Sequence, residues 1–247
     1  MLKIENFEVI GWEHAIRGMR NPMNSWEKSD SECLFHALPN YSYDDPKAEE
    51  YTRYLDDYNL NLKLGPNDYT LMKKLRNAGT DHRKFMRMIT VYLDITAPLY
   101  WWKEFDTYKV GTVANSCSTM HKIHAKEFTL EDFSCEHLDR GPIKVPDPLF
   151  EGSNEVTVPL NVLNMIVQSL NICRKKFLET KDKKYWWQMI QLLPSSYNQK
   201  RTVMLNYEVL ANIYKSRKDH KLDEWRTFCH WIDELPYSEL ITGYEEE

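Results

Sequence analysis

The sequence predicts an α/β (α+β) protein in which a mixed sheet is packed by long helices and the second half is rich in helix. Only 8 of the 247 residues are Gly, which argues against a turn-rich all-β protein. Strand patterns fall in the first hundred residues, whereas helical patterns dominate after residue 158. Hydrophobic residues make up 42% of the chain, enough for a substantial core in a single domain spanning residues 1–247.

The strand predictions come early in the chain. Residues 2–10 alternate as a first strand, and residues 11–20 form a short helix that Asn21-Pro22 ends. Residues 24–64 are polar and are predicted as loops, with at most one short helix among them. A helix then starts at Gly65-Pro66, with Asn67 or Asp68 as its cap, and Gly79 stops it.

The second strand and the later helices follow from composition and period. Residues 85–95 are rich in β-branched and aromatic side chains, which predicts the second strand. The next helix is predicted to start at Pro98, which stands near its first position. Residues 111–155 are predicted to be irregular, because Pro residues punctuate them. Apolar spacing predicts four further helices, at residues 159–179, 183–193, 196–217 and 221–234. The acidic tail at residues 245–247 is expected to fray.

Charge and composition exclude several classes of function. The net charge of −5 and the absence of a basic stripe argue against duplex nucleic acid as a partner. No run approaches the ~20 apolar residues that span a bilayer, and the start of the chain lacks a signal-peptide core. Five scattered cysteines fit reduced thiols, so we expect a cytoplasmic protein without a membrane partner.

Two segments carry an informative spacing. In the first, Ala97-Pro98 follows a predicted strand and leads through a helix to residues 107–117. In the second, Leu193-Pro194 is followed by Asn206, Asn212 and Arg217 at intervals of twelve, six and five residues. These intervals do not form one stripe on a helix, so the helix is expected to be contacted from more than one side.

This spacing resembles the flavin-dependent thymidylate synthases, which methylate deoxyuridine monophosphate with folate and FAD. The family places Ala-Pro before a helix that leads to an Arg-His-Arg motif, and Leu-Pro before Asn, Asn and Arg at the same three intervals. The match is strongest over residues 65–120 and 186–235. The resemblance implies the family's fold, a pyrimidine nucleotide ligand, FAD as cofactor and a homotetramer that builds each pocket from several chains.

The resemblance also implies roles for individual residues. Arg217 takes the position of the arginine that contacts the uracil ring and promotes its ionisation, and is therefore the candidate catalytic residue. The candidate substrate-binding residues are Glu104, Lys109, Cys117, Ser118 and Arg217. The candidate cofactor-binding residues are Thr96, Thr107, Tyr108, Lys109, Asn206 and Asn212.

The sequence departs from the family where charge is needed most. The Arg-His-Arg motif falls on Thr107-Tyr108-Lys109, the arginine before Leu-Pro on Ile190, and the Arg-Tyr at the motif's end on Thr119-Met120. Each charge-assisted hydrogen bond is typically worth ~1.5–3 kcal/mol, so losing three such anchors weakens the usual ligands by orders of magnitude. Lys109 supplies a point charge but not the bidentate fork of arginine.

Two functions therefore stay open. The first is a divergent thymidylate synthase-like enzyme that binds a pyrimidine deoxynucleotide, with or without FAD, for methyl or hydride transfer to the ring. The second is a non-catalytic homologue that keeps the scaffold to bind a nucleotide or a protein partner. Simpler roles compete at single residues: Arg217 as a helix-end cation, Cys117 as a small filler. The spacings of His121-x-x-His124 and Cys135-x-His137 do not match a usual zinc site, so no metal is predicted.

Overall fold

The computed structural model describes residues 2–33, 62–149 and 152–243. The chain divides into two compact units. Unit 1 comprises residues 1–3, 96–106 and 116–201, and unit 2 comprises residues 4–95, 107–115 and 202–247. The single-domain prediction stays a prediction. The predicted tail 245–247, and residues 34–61 of the predicted loop region, lie outside the described residues.

The described residues form eight strands and eight α-helices. The strands are β1 Lys3–Ile10, β2 Glu32–Cys33, β3 Leu62–Lys63, β4 Thr90–Pro98, β5 Val113–Ser116, β6 Ile143–Pro146, β7 Asn154–Thr157 and β8 Asn198–Asn206. The helices are α1 Trp12–Arg20, α2 Pro66–Asn77, α3 Leu99–Phe105, α4 Pro159–Thr180, α5 Lys183–Leu192, α6 Tyr207–Arg217, α7 Asp223–Asp233 and α8 Glu239–Thr242. Strand and helix are both present in quantity, and the predicted α/β class is confirmed.

One four-stranded sheet has the strand order β1-β4-β8-β5. Two smaller antiparallel pairs accompany it: β2 with β3, and β6 with β7. The prediction of an irregular region over 111–155 missed β5, β6 and β7. All three are four residues long with exposed side chains, so they lack the buried alternation that makes a strand visible in sequence.

The largest correction concerns residues 196–217, which were predicted as one helix. Residues 198–206 instead form β8, and α6 begins only at Tyr207. Gln199, Val203 and Leu205 of β8 are buried, and this alternation is the period of a strand. Asn206 is therefore not on the helix: it ends the strand and caps α6.

Smaller corrections concern where elements begin. Gly65, not Asn67 or Asp68, is the N-cap of α2, and Pro66 is its first residue. Residues 85–95 were predicted as a strand. Their first three residues belong instead to a 3₁₀ helix at residues 83–87, and β4 begins at Thr90. Pro98 ends β4 and caps α3, which starts at Leu99. Gly11 has φ +94, and a Cβ there would stand 2.1 Å from the Met88 carbonyl oxygen, so only glycine fits between β1 and α1.

Unit 1 has its own core beneath α4 and α5. Phe128, Phe133, Leu170 and Met189 are among its buried members. The Asn171 side chain ties the neighbouring loop to α4: its Oδ1 accepts from Phe128 N at 2.9 Å and its Nδ2 donates to Phe128 O at 2.8 Å. The predicted helices over 159–179 and 183–193 are confirmed as α4 and α5.

Unit 2 is organised around a buried ion pair. Asp68 on α2 is fully buried, and its carboxylate accepts from Arg20 Nε at 2.6 Å. Ser29 Oγ and Ser31 Oγ each donate to the same carboxylate at 2.7 Å, and Arg20 donates to the carbonyl oxygens of residues 25 and 28. Burial alone would raise the pKa of Asp68, but the hydrogen bonds from Ser29, Ser31 and Arg20 hold it below its usual value.

Over the described ranges, no helix is both long and apolar enough to cross a membrane. The same residues contain no group of three or more His, Cys, Asp or Glu side chains arranged to hold a metal ion.

Candidate functional site

The predicted site residues fall in both units. Unit 1 contains Thr96, Glu104, Cys117 and Ser118; unit 2 contains Thr107, Tyr108, Lys109, Asn206, Asn212 and Arg217.

Three of the unit 1 residues line one cleft of about 540 Å³. This volume is typical of a small-molecule site. Glu104 is not among the lining residues, which are Lys3, Thr96, Cys117, Ser118, Lys126, Glu131, Asp132, Tyr197, Asn198, Gln199 and Lys200. Three lysines against two carboxylates give the cleft a cationic excess, unlike the acidic chain as a whole.

The backbone of Cys117 is fixed at the wall of this cleft. Its N–H donates to the Lys200 carbonyl at 2.9 Å, and its carbonyl accepts from Gln199 Nε2 at 2.7 Å. Gln199 is buried, and its Oε1 accepts in turn from Arg201 Nε at 3.0 Å. Cys117 is thus an exposed residue on a hydrogen-bonded edge of the cleft.

Protonation in the cleft follows from burial and charge. A hydrogen bond to Asp132 raises the pKa of Lys126, which keeps this ammonium charged at neutral pH. Burial raises the pKa of Tyr197, and Asp132 adds to that rise, so the phenol stays protonated. Tyr197 also packs edge-on against Phe133 at 5.7 Å between ring centres, which fixes the ring.

Asn198 presents an unused acceptor. Its Oδ1 is buried, and no described residue donates a hydrogen bond to it. Buried polar atoms are rarely left unpaired, because each costs the free energy of a lost hydrogen bond. Asn198 lines the cleft, so its side-chain amide is the group there with hydrogen-bonding capacity to spare.

In unit 2, Arg217 is held by aromatic neighbours. Its Nε donates to Tyr108 Oη at 3.0 Å, and its Nη1 lies 3.1 Å from His220 Nε2. The guanidinium also lies over the Trp225 ring, 4.7 Å from the centroid. The structure therefore brings together Arg217 and Tyr108, the candidate catalytic residue and one candidate cofactor residue, but as partners of each other.

Asn206 acts as a helix cap. Its Oδ1 accepts from Val209 N at 3.0 Å, which satisfies a free amide of the first turn of α6. Gly111, with φ +78, packs against it so closely that a Cβ would stand 2.7 Å from Asn206 Nδ2. Asn212 is exposed, and its Oδ1 lies 3.5 Å from Arg83 Nη2.

These residues do not fit a flavin diphosphate. No arginine stands at positions 107–109, and Lys109 is the only cation there. Tyr108 Oη and the side-chain oxygen of Asn206 already have partners within unit 2. Charge-assisted forks are what hold a diphosphate tightly, and this unit does not supply them at the predicted positions.

The sequence analysis missed eight of the eleven lining residues, among them Lys3, Lys126, Asn198 and Lys200. Asn198 and Lys200 alternate along β8 and so share a face, a relation hidden by predicting helix there. Lys126 lies in a segment without periodicity, so nothing in the sequence placed it beside Cys117.

Comparisons with known proteins give the fold. No protein-family profile and no curated protein sequence matches this chain. Among solved structures, thymidylate synthase X from Helicobacter pylori with FAD and dUMP matches with a TM-score of 0.61 and 15% identity, over 98% of each chain. A second structure of the flavin-dependent enzyme from the same organism, also with FAD and dUMP, gives 0.58 and 14% over 99% of each chain. The predicted resemblance of fold is confirmed over the whole length; the roles of individual residues stay predictions.

Proposed function

We propose that this chain binds a pyrimidine deoxynucleotide, with dUMP as the best candidate, in the cleft of unit 1. The observation that carries this proposal is a cationic cleft of suitable size lined by Asn198, whose side-chain oxygen has no hydrogen-bond partner among the described residues. Two predicted substrate-binding residues, Cys117 and Ser118, line the same cleft. The fold is shared with proteins crystallised with dUMP.

The cleft offers different chemistry to the two ends of a nucleotide. Lys3, Lys126 and Lys200 supply point charges for the phosphate. Asn198 Oδ1 supplies an acceptor for the ring N3–H of uracil or thymine. Cytosine has a lone pair at that ring position, so it would leave Asn198 unpaired. The site should therefore favour dUMP over dCMP.

A second candidate function is FAD-dependent methyl transfer to the pyrimidine ring. The shared fold favours it, since both neighbours were crystallised with FAD. In this candidate Arg217 contacts the ring, Lys109 holds phosphate, and Thr96, Thr107, Tyr108, Asn206 and Asn212 contact flavin. The engaged side chains of unit 2 weigh against it, so nucleotide binding without catalysis is the function that the geometry supports best.

Self-association into a homotetramer belongs to both candidates. Partner subunits would bring further side chains to each pocket, which is how the missing arginines of positions 107–109 would be compensated.

Thermal unfolding with added nucleotide tests the proposal, because a ligand at a hundred times its Kd stabilises the folded state by ~2.7 kcal/mol. We expect dUMP to raise the melting temperature more than dCMP does. Lys200→Gln should weaken dUMP binding about tenfold, the equivalent of ~1.4 kcal/mol. Absence of any dUMP shift would reject the proposal.

Lys109→Gln is the matched control, since it removes the same charge from unit 2. Lys109→Gln should leave dUMP binding unchanged if the cleft alone is the site. If it weakened dUMP binding as much as Lys200→Gln does, the site would instead include positions 107–109, where the family has its motif. Flavin absorption that survives desalting, together with dTMP formation from dUMP, a methylene-carrying folate and FAD kept reduced by an added reductant, would establish the second candidate instead.

A further inference from the structure

Helix α4 carries apolar side chains on its exposed face. Val162, Met165 and Ile172 are 48%, 66% and 63% exposed. With Ser169 they are spaced three, four and three residues apart, the spacing of a helix that packs along another helix. We call these four residues the α4 stripe.

The opposite face of α4 already fills the core of unit 1. Leu163, Val167 and Leu170 are buried there. A surface helix normally has a polar outer face, and a helix that is apolar on both sides is typical of a buried position. The α4 stripe therefore indicates a surface that becomes covered.

The stripe also lacks charge and unsatisfied donors. Residues 159–173 contain no Asp, Glu, Lys or Arg. Ser169 Oγ donates to the Met165 carbonyl at 2.8 Å, so its hydroxyl proton needs no water. Depletion of charge is the compositional mark of an interface centre.

We propose that the α4 stripe packs antiparallel against the α4 stripe of a second copy of this chain, about a twofold axis between Gln168 and Ser169. This inference rests on the self-association proposed above and names its surface. The axis puts Met165 of each copy opposite Ile172 of the other. It also puts each Gln168 amide opposite a Ser169 oxygen that can still accept a hydrogen bond.

The absence of charge points to a second copy rather than to a different protein. Near a twofold axis a residue meets its own equivalent, so any charge there would face a like charge. The chain as a whole has a net charge of −5 and repels its copies. An uncharged stripe is where two copies approach at least electrostatic cost.

Sedimentation velocity over micromolar concentrations tests the surface. The double variant Met165→Glu/Ile172→Glu should lower the sedimenting mass. The control Val110→Glu/Leu149→Glu makes the same charge change at residues that are 91% and 82% exposed, and should sediment as wild type. An unchanged mass in the stripe variant would overturn the proposal.

Cross-linking tests the orientation, in a Cys117→Ser background with products mapped by peptide mass spectrometry. Ser169→Cys lies beside the proposed axis and should form an intermolecular disulfide on mild oxidation. Val162→Cys should not, because the two copies of residue 162 would be about 20 Å apart along the helices. Equal cross-linking at both positions would refute the antiparallel arrangement.

The outcomes separate this inference from nucleotide binding. If the stripe variants keep the wild-type mass, only the proposal that the α4 stripe is the interface is rejected. If the wild-type protein is a monomer, the proposed homotetramer is rejected as well. A monomer that cosediments with phosphatidylcholine vesicles would reassign the stripe to a lipid surface and also overturn the proposal. The dUMP thermal shift reports on the cleft separately.

Discussion

The buried pair between Arg20 and Asp68 gives the sharpest prediction for stability. Asp68→Asn keeps the shape of the side chain but removes the charge that faces Arg20 Nε at 2.6 Å. The two side chains are 4% and 0% exposed, so the guanidinium left behind cannot regain water. Breaking a buried pair from one side typically costs ~3–5 kcal/mol.

The size of this loss makes it easy to measure. For a chain of this length, 1 kcal/mol moves the melting temperature by about 2–4 °C, so Asp68→Asn should lower it by about 6–20 °C. Urea titration at pH 7 would give the free energy of unfolding directly. A loss below ~1 kcal/mol would refute the conclusion that Asp68→Asn leaves the charge of Arg20 buried without its counterion.

Asp106→Asn is the matched control. It breaks the pair of Arg201 Nη1 with Asp106 at 2.8 Å, where the carboxylate side chain is 50% exposed. Solvent screens such a pair, and the expected cost is ~1 kcal/mol or less. A comparable loss in both variants would mean that burial does not determine the effect.

The pH dependence of the same variant has a definite sign. The folded pKa of Asp68 is lowered, so the unfolded chain takes up the proton first as the pH falls. The stability from Asp68 is fully present above the unfolded pKa of ~3.9 and is lost as the pH falls through the lower folded pKa. The difference between wild type and Asp68→Asn should therefore shrink only below about pH 4.

Three further predictions concern single residues. Gly111→Ala should destabilise the protein more than Gly152→Ala. Both glycines have positive φ, which strains an alanine by ~1–2 kcal/mol, but of the two only at Gly111 does a Cβ meet an atom within 4 Å. Equal losses of unfolding free energy in urea would contradict this. Asn206→Ala should cost ~1 kcal/mol by removing the cap of α6, and Asn206→Asp should restore most of it; an unaffected Asn206→Ala would mean that the cap does not matter. At pH 8, iodoacetamide should modify the exposed Cys117 well before Cys229, because burial raises the pKa of Cys229 to about 12; peptide mass spectrometry would detect the opposite order.

The sequence predicted those parts of the fold that have a strong local period. Helices α4 and α5 follow from apolar spacing, and β1 from alternation. Strand β8 was missed although Val203 and Leu205 alternate with polar neighbours, because the interval from Asn206 to Arg217 suggested one continuous helix. The cap role of Asn206 was hidden for the same reason.

The candidate site was less accessible from sequence, since its contacts join distant segments. Cys117 and Ser118 were found through the family spacing, but Lys126 reaches the same cleft from a segment without periodicity. Arg20 and Asp68 lie 48 residues apart, and no local pattern links them. Arg217 was expected to contact a ligand, but its Nε donates to Tyr108 Oη. Tyr108 stands at a position where the family has histidine, so the family pattern gave no sign of this contact.

The alternation along β8 places two residues that line the cleft and two that fill the core on opposite faces of the strand. Asn198 and Lys200 stand on one face of the strand, while Val203 and Leu205 belong to the other. Residues that line the cleft can therefore be exchanged while those that hold the strand in place are kept. Such a strand tolerates different side chains towards the cleft without losing its place in the sheet, in keeping with a fold that is shared at 15% identity.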